Sequence, residues 1–235
     1  MKSKLILLIT LLSFTLPGLA LATMTTIGTA TYGGSEYKLI WDDDNNSNSI
    51  IWLDYTNAST NWSAQNAWAA GLDGSLTYNI DAAYNVSWVD DSWRLGHTVD
   101  GAVGVWGVDG TTMAGYNVNS SEMGHLYYEG LASLSYIDTS WNYQPGFGLQ
   151  NTGPFENLAE AWYWTGTEYA NDPDLAWYFH THLGFQYIIQ KRFTGGYGLA
   201  VRSGQVSIVP EPSTILLLGS GLVGLAWYGR TRRKA

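Results

Sequence analysis

The chain has 235 residues, among them 12 Trp, 16 Tyr and no Cys, and a formal net charge of −9. Without cysteine, disulfides, thiolate nucleophiles and Cys-based zinc sites are excluded. Six of the eleven cations lie in the first four and last six residues, so the span from Thr23 to Val209 holds five cations against nineteen acids, a formal −14. A body that acidic repels phosphate backbones, which excludes nucleic acid as a partner and favours cations.

From the amino end, Met1-Lys2-Ser3-Lys4 is a short basic region, residues 5–16 are mostly apolar, and Ala20-Leu21-Ala22 offers a small-x-small cleavage site. This predicts a signal peptide over 1–22. Residues 23–209 suit one domain. Abundant Gly, many aromatic rings and little helical periodicity predict a β-rich fold with the rings in its core, a sugar-stacking surface being the functional alternative for some of them.

Residues 37–41 and 50–55 read as the strands of a hairpin, with the turn formers 42–49 as a long acidic loop between them. Asp42, Asp44, Asn46 and the carbonyl of Asn48 imitate the first half of a calcium loop, which makes Ca the one candidate cofactor. Ser47 stands where such loops carry Gly, and Leu53 where they close with Glu; the alternative is a solvated hairpin tip. Residues 61–72 predict a helix capped by Asn61 or Ser63 and closed at Gly71, and residues 121–131 a second with Glu122 at its positive end. Arg94, beside Trp93 in a body poor in cations, is expected to be structural, paired with a buried carboxylate or stacked on a ring.

Residues 133–156 read as loop. The last third predicts four strands, at 161–165, 175–182, 185–190 and 197–202, as an antiparallel meander. His180 and His182 share one face of a strand; a metal there needs His125 or Glu122 as well, and the alternative is two satisfied polar histidines. There is no nucleophile elbow, phosphate loop or His-Glu-x-x-His motif, and no spacing selects a glycosidase pair among the acids, so no catalytic residue is assigned.

The order Trp52-x-Asp54, Trp93-Arg94-Leu95, Ser121-Glu122-Met123-Gly124-His125-Leu126, Tyr163-Trp164-Thr165-Gly166-Thr167-Glu168-Tyr169, Ala176-Trp177-Tyr178 and Ala200-Val201-Arg202 resembles the Lcl C-terminal type of domain. That resemblance implies a single C-type-lectin-like fold, α+β and β-rich, with antiparallel strands and about two helices. Gly96 departs from it where the family carries proline after Trp-Arg-Leu. Lectin-like folds host unrelated functions, so no activity follows.

The tail reads Pro210-Glu211-Pro212, a mostly apolar run over 215–228, then Arg230, Arg232, Arg233 and Lys234 as a basic stop. As a helix at ~1.5 Å per residue, residues 213–228 cover ~24 Å of a ~30 Å hydrocarbon core, a minimal span that relies on snorkelling cations. The cations keep their flank cytoplasmic and the body outside. This order resembles the PEP-CTERM tail recognised by bacterial exosortases. The resemblance implies export, transient anchoring by a C-terminal transmembrane helix, processing near Pro210-Glu211-Pro212 by an exosortase-type enzyme, and a final place in the cell envelope or extracellular matrix. The expected role is a binding or structural protein of an exopolysaccharide (biofilm) matrix, with extracellular polysaccharide as partner. The alternative is a secreted hydrolase acting on that polysaccharide.

Overall fold

The computed structural model describes residues 24–101, 106–210 and 217–222. They form a β-rich α+β body around one large mixed sheet. β1 (Met24–Tyr32) and β2 (Ser35–Asn45) turn at Gly33 and Gly34, whose φ of 58° and 85° suit the primed turns that match strand twist. β2 then runs through the acidic stretch and meets β3 (Asn48–Thr60) across a second two-residue turn, Asn46 and Ser47, with Asn45 opposite Asn48. The expected eight-residue acidic loop is therefore mostly strand. Its ends pair because Asp42 finds donors inside the protein, from Asn45 Nδ2 at 2.8 Å and Trp52 Nε1 at 3.3 Å.

Alternation along β3 places Ile50 and Trp52 on one face and Ile51 and Leu53 on the other, and all four are fully buried. Both faces are covered. On one lies α1 (Trp62–Gly71), begun by Asn61, whose side chain accepts from the Ala64 amide at 3.0 Å. It closes at Leu72 in right-handed conformation, not at Gly71. Gln65, fully buried, donates to the carbonyls of Ala58 and Gly196 and accepts from Asn57, fastening the helix to the sheet. A Cβ at Gly198 would lie 2.4 Å from the Gln65 Oε1 atom, so glycine is what lets helix and sheet approach. β4 (Thr77–Ile80) adds to β1, while β5 (Tyr84–Trp88) and the two-residue β6 (Arg94–Leu95) pair with the last strand.

β7 (Trp106–Gly107) and β8 (Ala114–Tyr116) form the other margin of the sheet. α2 (Glu122–His125) starts where Ser121 Oγ accepts from the Gly124 amide at 2.9 Å, then widens into a π-helical turn (Leu126–Gly130). Met123, Leu126 and Tyr127 pack on Ile50, Trp52 and Phe179, covering the second face. β9 (Trp162–Glu168), β10 (Leu175–His180) and β11 (Phe185–Gln190) form the expected meander. β12 (Gly196–Ile208) does not continue it. It crosses back to lie between β3 and β9, antiparallel to one and parallel to the other. The consecutive residues Leu199, Ala200 and Val201 are all buried, and a strand apolar on both faces fits only inside a sheet.

The predicted signal peptide and most of the predicted membrane run lie outside the described residues. Residues 217–222 are helical and exposed, and no helix among the described residues is long and apolar enough to cross a membrane.

Candidate functional site

β6 is only two residues long, yet it sets the geometry of a polar pocket. Its alternation sends Trp93 and Leu95 into the core on the α1 side, where Trp93 Nε1 donates to the Tyr78 hydroxyl at 2.7 Å. Arg94 is thereby turned to the opposite face, toward α2. There Nη1 and Nη2 donate to the two oxygens of Glu122 at 2.6 and 2.8 Å, and Nε to Asp90 at 3.3 Å. The same Glu122 accepts from the His97 amide at 2.7 Å, and its own amide donates to the His97 carbonyl at 3.0 Å. Both carboxylate oxygens are thus committed to the fold.

Above this pair is a cavity of ≈ 320 Å³ lined by Asn46, Asn48, Arg94, His97, Thr98, Val99, Ser120, Glu122 and Ser203. The tip of the β2–β3 hairpin forms one wall, held in place by Asn46 Nδ2 donating to the Ser121 carbonyl and Asn45 Nδ2 to the Glu122 carbonyl. The lining charges neutralise one another. Burial works against the Arg94 charge, but the bonds and charge of Glu122, with Asp90, outweigh it and raise the guanidinium pKa. Burial likewise pushes Asp90 up, and the bonds from Ser203 with the Arg94 charge overcome it, leaving the carboxyl below its usual range. His97 is held below its usual value by burial and then by Arg94, which keeps the imidazole neutral at pH 7. Ser120 is among the lining residues, but its Oγ is buried beneath the cavity wall, without a hydrogen-bond partner among the described residues. A pocket of amides, hydroxyls and a neutral imidazole over a compensated ion pair is equipped to hydrogen-bond an uncharged polar ligand.

The four residues of the expected calcium loop are divided. Asp42 is fully buried and turned inward, its carboxyl pushed up by burial, whereas Asp44 is exposed. Asn46 faces Ser121, and the Asn48 side chain donates to the carbonyls of Asn45 and Asn46. Among the described residues no group of three or more His, Asp or Glu is placed to hold a metal ion. His180 and His182 have rings 6.2 Å apart, and His182 Nδ1 lies 3.0 Å from Glu160 Oε2. Glu122, once a candidate third ligand there, is occupied by Arg94. His97, Thr98, Ser120 and Ser203 were not singled out in the sequence; adjacency to Trp93-Arg94 was the one available signal for the first two.

β12 ends at Ile208, the Val209 amide donates to the Ala83 carbonyl at 2.8 Å, and Pro210 follows directly. Glu211, Pro212, Arg230, Arg232, Arg233 and Lys234 lie outside the described residues.

The PEP-CTERM protein-sorting motif matches residues 209–233. No curated protein and no solved structure matches the chain. The motif marks an exported, envelope-associated protein sorted and processed by an exosortase.

Proposed function

We propose that this exosortase-sorted protein is a binding module of the extracellular polysaccharide matrix, and that its body holds uncharged saccharide in the pocket over Arg94 and Glu122. The observation that carries the reading is the lining of that pocket, in which Glu122 cancels the charge of Arg94 and the other polar residues are amides, hydroxyls and the neutral His97. The lectin-like reading of the body is part of the proposal. It is supported by the pairing of Arg94 with Glu122, which joins two of the segments on which the resemblance rests. The hydrolase alternative has less support, because Glu122 has both oxygens engaged and is poorly placed as a general base.

The test is incubation of the full chain with the producer's own polysaccharide. Retention without new reducing ends, weakened by Ser120→Trp filling the cavity, is the expected result; new reducing ends would replace the module with the hydrolase. Sorting is tested separately by changing Pro210, Glu211 and Pro212 to Ala, which is expected to leave the chain unprocessed with its body folded. Identical processing of that variant and the parent would remove exosortase recognition from the account.

A further inference from the structure

Between α2 and β9 the chain runs through residues 131–161 without a strand, its ladder pairing limited to the isolated bridges Leu134 to Gly148 and Ile137 to Tyr143. Connections of that length without secondary structure are uncommon in compact domains unless they carry function. This one is firmly built. Asn117 Nδ2 donates to the Ile137 carbonyl, Ser135 Oγ donates to Asn117 Oδ1, and Gln144 Nε2 donates to the Ser135 carbonyl. Tyr136, Tyr143 and Phe147 meet edge to face with centroids 4.9 to 5.8 Å apart, and Phe147 continues to His182 at 5.4 Å.

At the tip of this construction two large rings face solvent: Trp141 is 62% exposed and Tyr143 56%. Trp141 also has φ 65°, a left-handed conformation unusual for a bulky residue, and its amide donates to the Asp138 carbonyl at 3.2 Å. Asp138 Oδ1 accepts from the amides of Ser140 and Asn142, both at 2.8 Å, and fixes the turn that holds the indole outward. Neither exposure nor backbone conformation here favours stability. Strain maintained by a rigid surround is a mark of functional positions.

We propose that Trp141 and Tyr143 form a saccharide-stacking site, separate from the pocket, that binds neutral polysaccharide. The inference rests on the reading of the body as a polysaccharide-binding module and adds a second point of contact to it. The chemistry of the surroundings selects the ligand. No Lys or Arg occurs between Arg94 and Lys191, and Lys38, which reaches the loop from β2, is bound to the Pro154 carbonyl and to Glu156, so this loop offers little to an anionic glycan, a phosphate or an acidic lipid surface. What it does offer is apolar ring faces beside the exposed side chains of Ser140 and Asn142, the pairing that a pyranose with one C–H face and a rim of hydroxyls requires. Rigid aromatic residues among small polar ones also lose little conformational freedom on binding.

The experiment is native electrophoresis of the full chain in neutral detergent, through gels containing hydroxyethylcellulose, glucomannan or alginate, alongside flotation with phosphatidylcholine vesicles. The parent is expected to be retarded by a neutral polymer and not by alginate. Trp141→Gly should weaken that retardation roughly ten-fold, equivalent to about 1.4 kcal/mol. Its melting temperature should be unchanged or raised, since glycine adopts the left-handed conformation without strain. Tyr143→Ala should weaken it less. Retardation of Trp141→Gly equal to the parent's, with Ser120→Trp impaired, overturns this site and leaves the pocket standing. Loss of vesicle flotation in Trp141→Gly with unchanged retardation makes the loop a membrane contact and overturns the proposal. A parent that no polymer retards removes the binding reading and this site together.

Discussion

Arg94 and Glu122 are both mostly shielded, with side chains 22% and 12% exposed, so neither charge is readily rehydrated if its partner is lost. Arg94→Ala is expected to lower stability by about 3 kcal/mol in urea unfolding, and Arg94→Lys to recover part of that by keeping charge without the two-pronged geometry. An unchanged urea midpoint for Arg94→Ala would mean that desolvation already cancels the pair. The scarcity of cations made a structural role for Arg94 legible in the sequence. Its partner was not, because β6 chooses between faces by an alternation too short to read. A second expectation concerns His180, whose imidazole is lowered to about 4 by burial and then by the neighbouring His182. Between pH 6.5, the ordinary value, and pH 4, the unfolded chain binds a proton that the folded one refuses. Stability should therefore fall as the pH falls through that window. His180→Asn should flatten this part of a melting-temperature profile relative to the parent; a variant curve parallel to the parent's would assign the slope to other groups, His97 first among them.

At the scale of elements, what the sequence showed and what it hid divide along local and non-local lines. The cap at Asn61 and the strand 185–190 were visible, and the strand expected over 175–182 forms over 175–180, because each depends on neighbours in the chain. The acidic stretch misled. Asp42 and Asn45 are turn formers by composition, yet both are fully buried in β2, where Asn45 satisfies one oxygen of Asp42. No local rule gives a strand a buried carboxylate. The tight turn that results holds Ser47 at φ 67° and Asn46 at φ 51°. Glycine adopts this conformation without the Cβ penalty, so Ser47→Gly is expected to stabilise by about 0.5 kcal/mol in the same unfolding assay. A loss of stability would mean that the Ser47 side chain makes compensating contacts. The pocket was equally hidden, since Asn46, His97, Ser120 and Ser203 come together from four separate stretches.

Across the whole molecule, β12 is the strand on which the sheet depends. On one side of it lie β3, β2, β1 and β4, on the other β9, β10, β11, β8 and β7, and among the described residues these two groups are joined within the sheet only through it. Deleting residues 196–208 while keeping 209–235 is expected to abolish the cooperative unfolding transition, followed by tryptophan fluorescence. A surviving cooperative transition would show that one half folds alone. The position of β12 also gives export a timetable. Were the chain threaded through a membrane from its amino end, this strand would emerge after all the others and immediately ahead of the sorting motif, and until then the two half-sheets would have open edges. Folding would then be completed only as the segment that carries the sorting motif follows, which would tie the finished shape of the body to the step at which an exosortase can act.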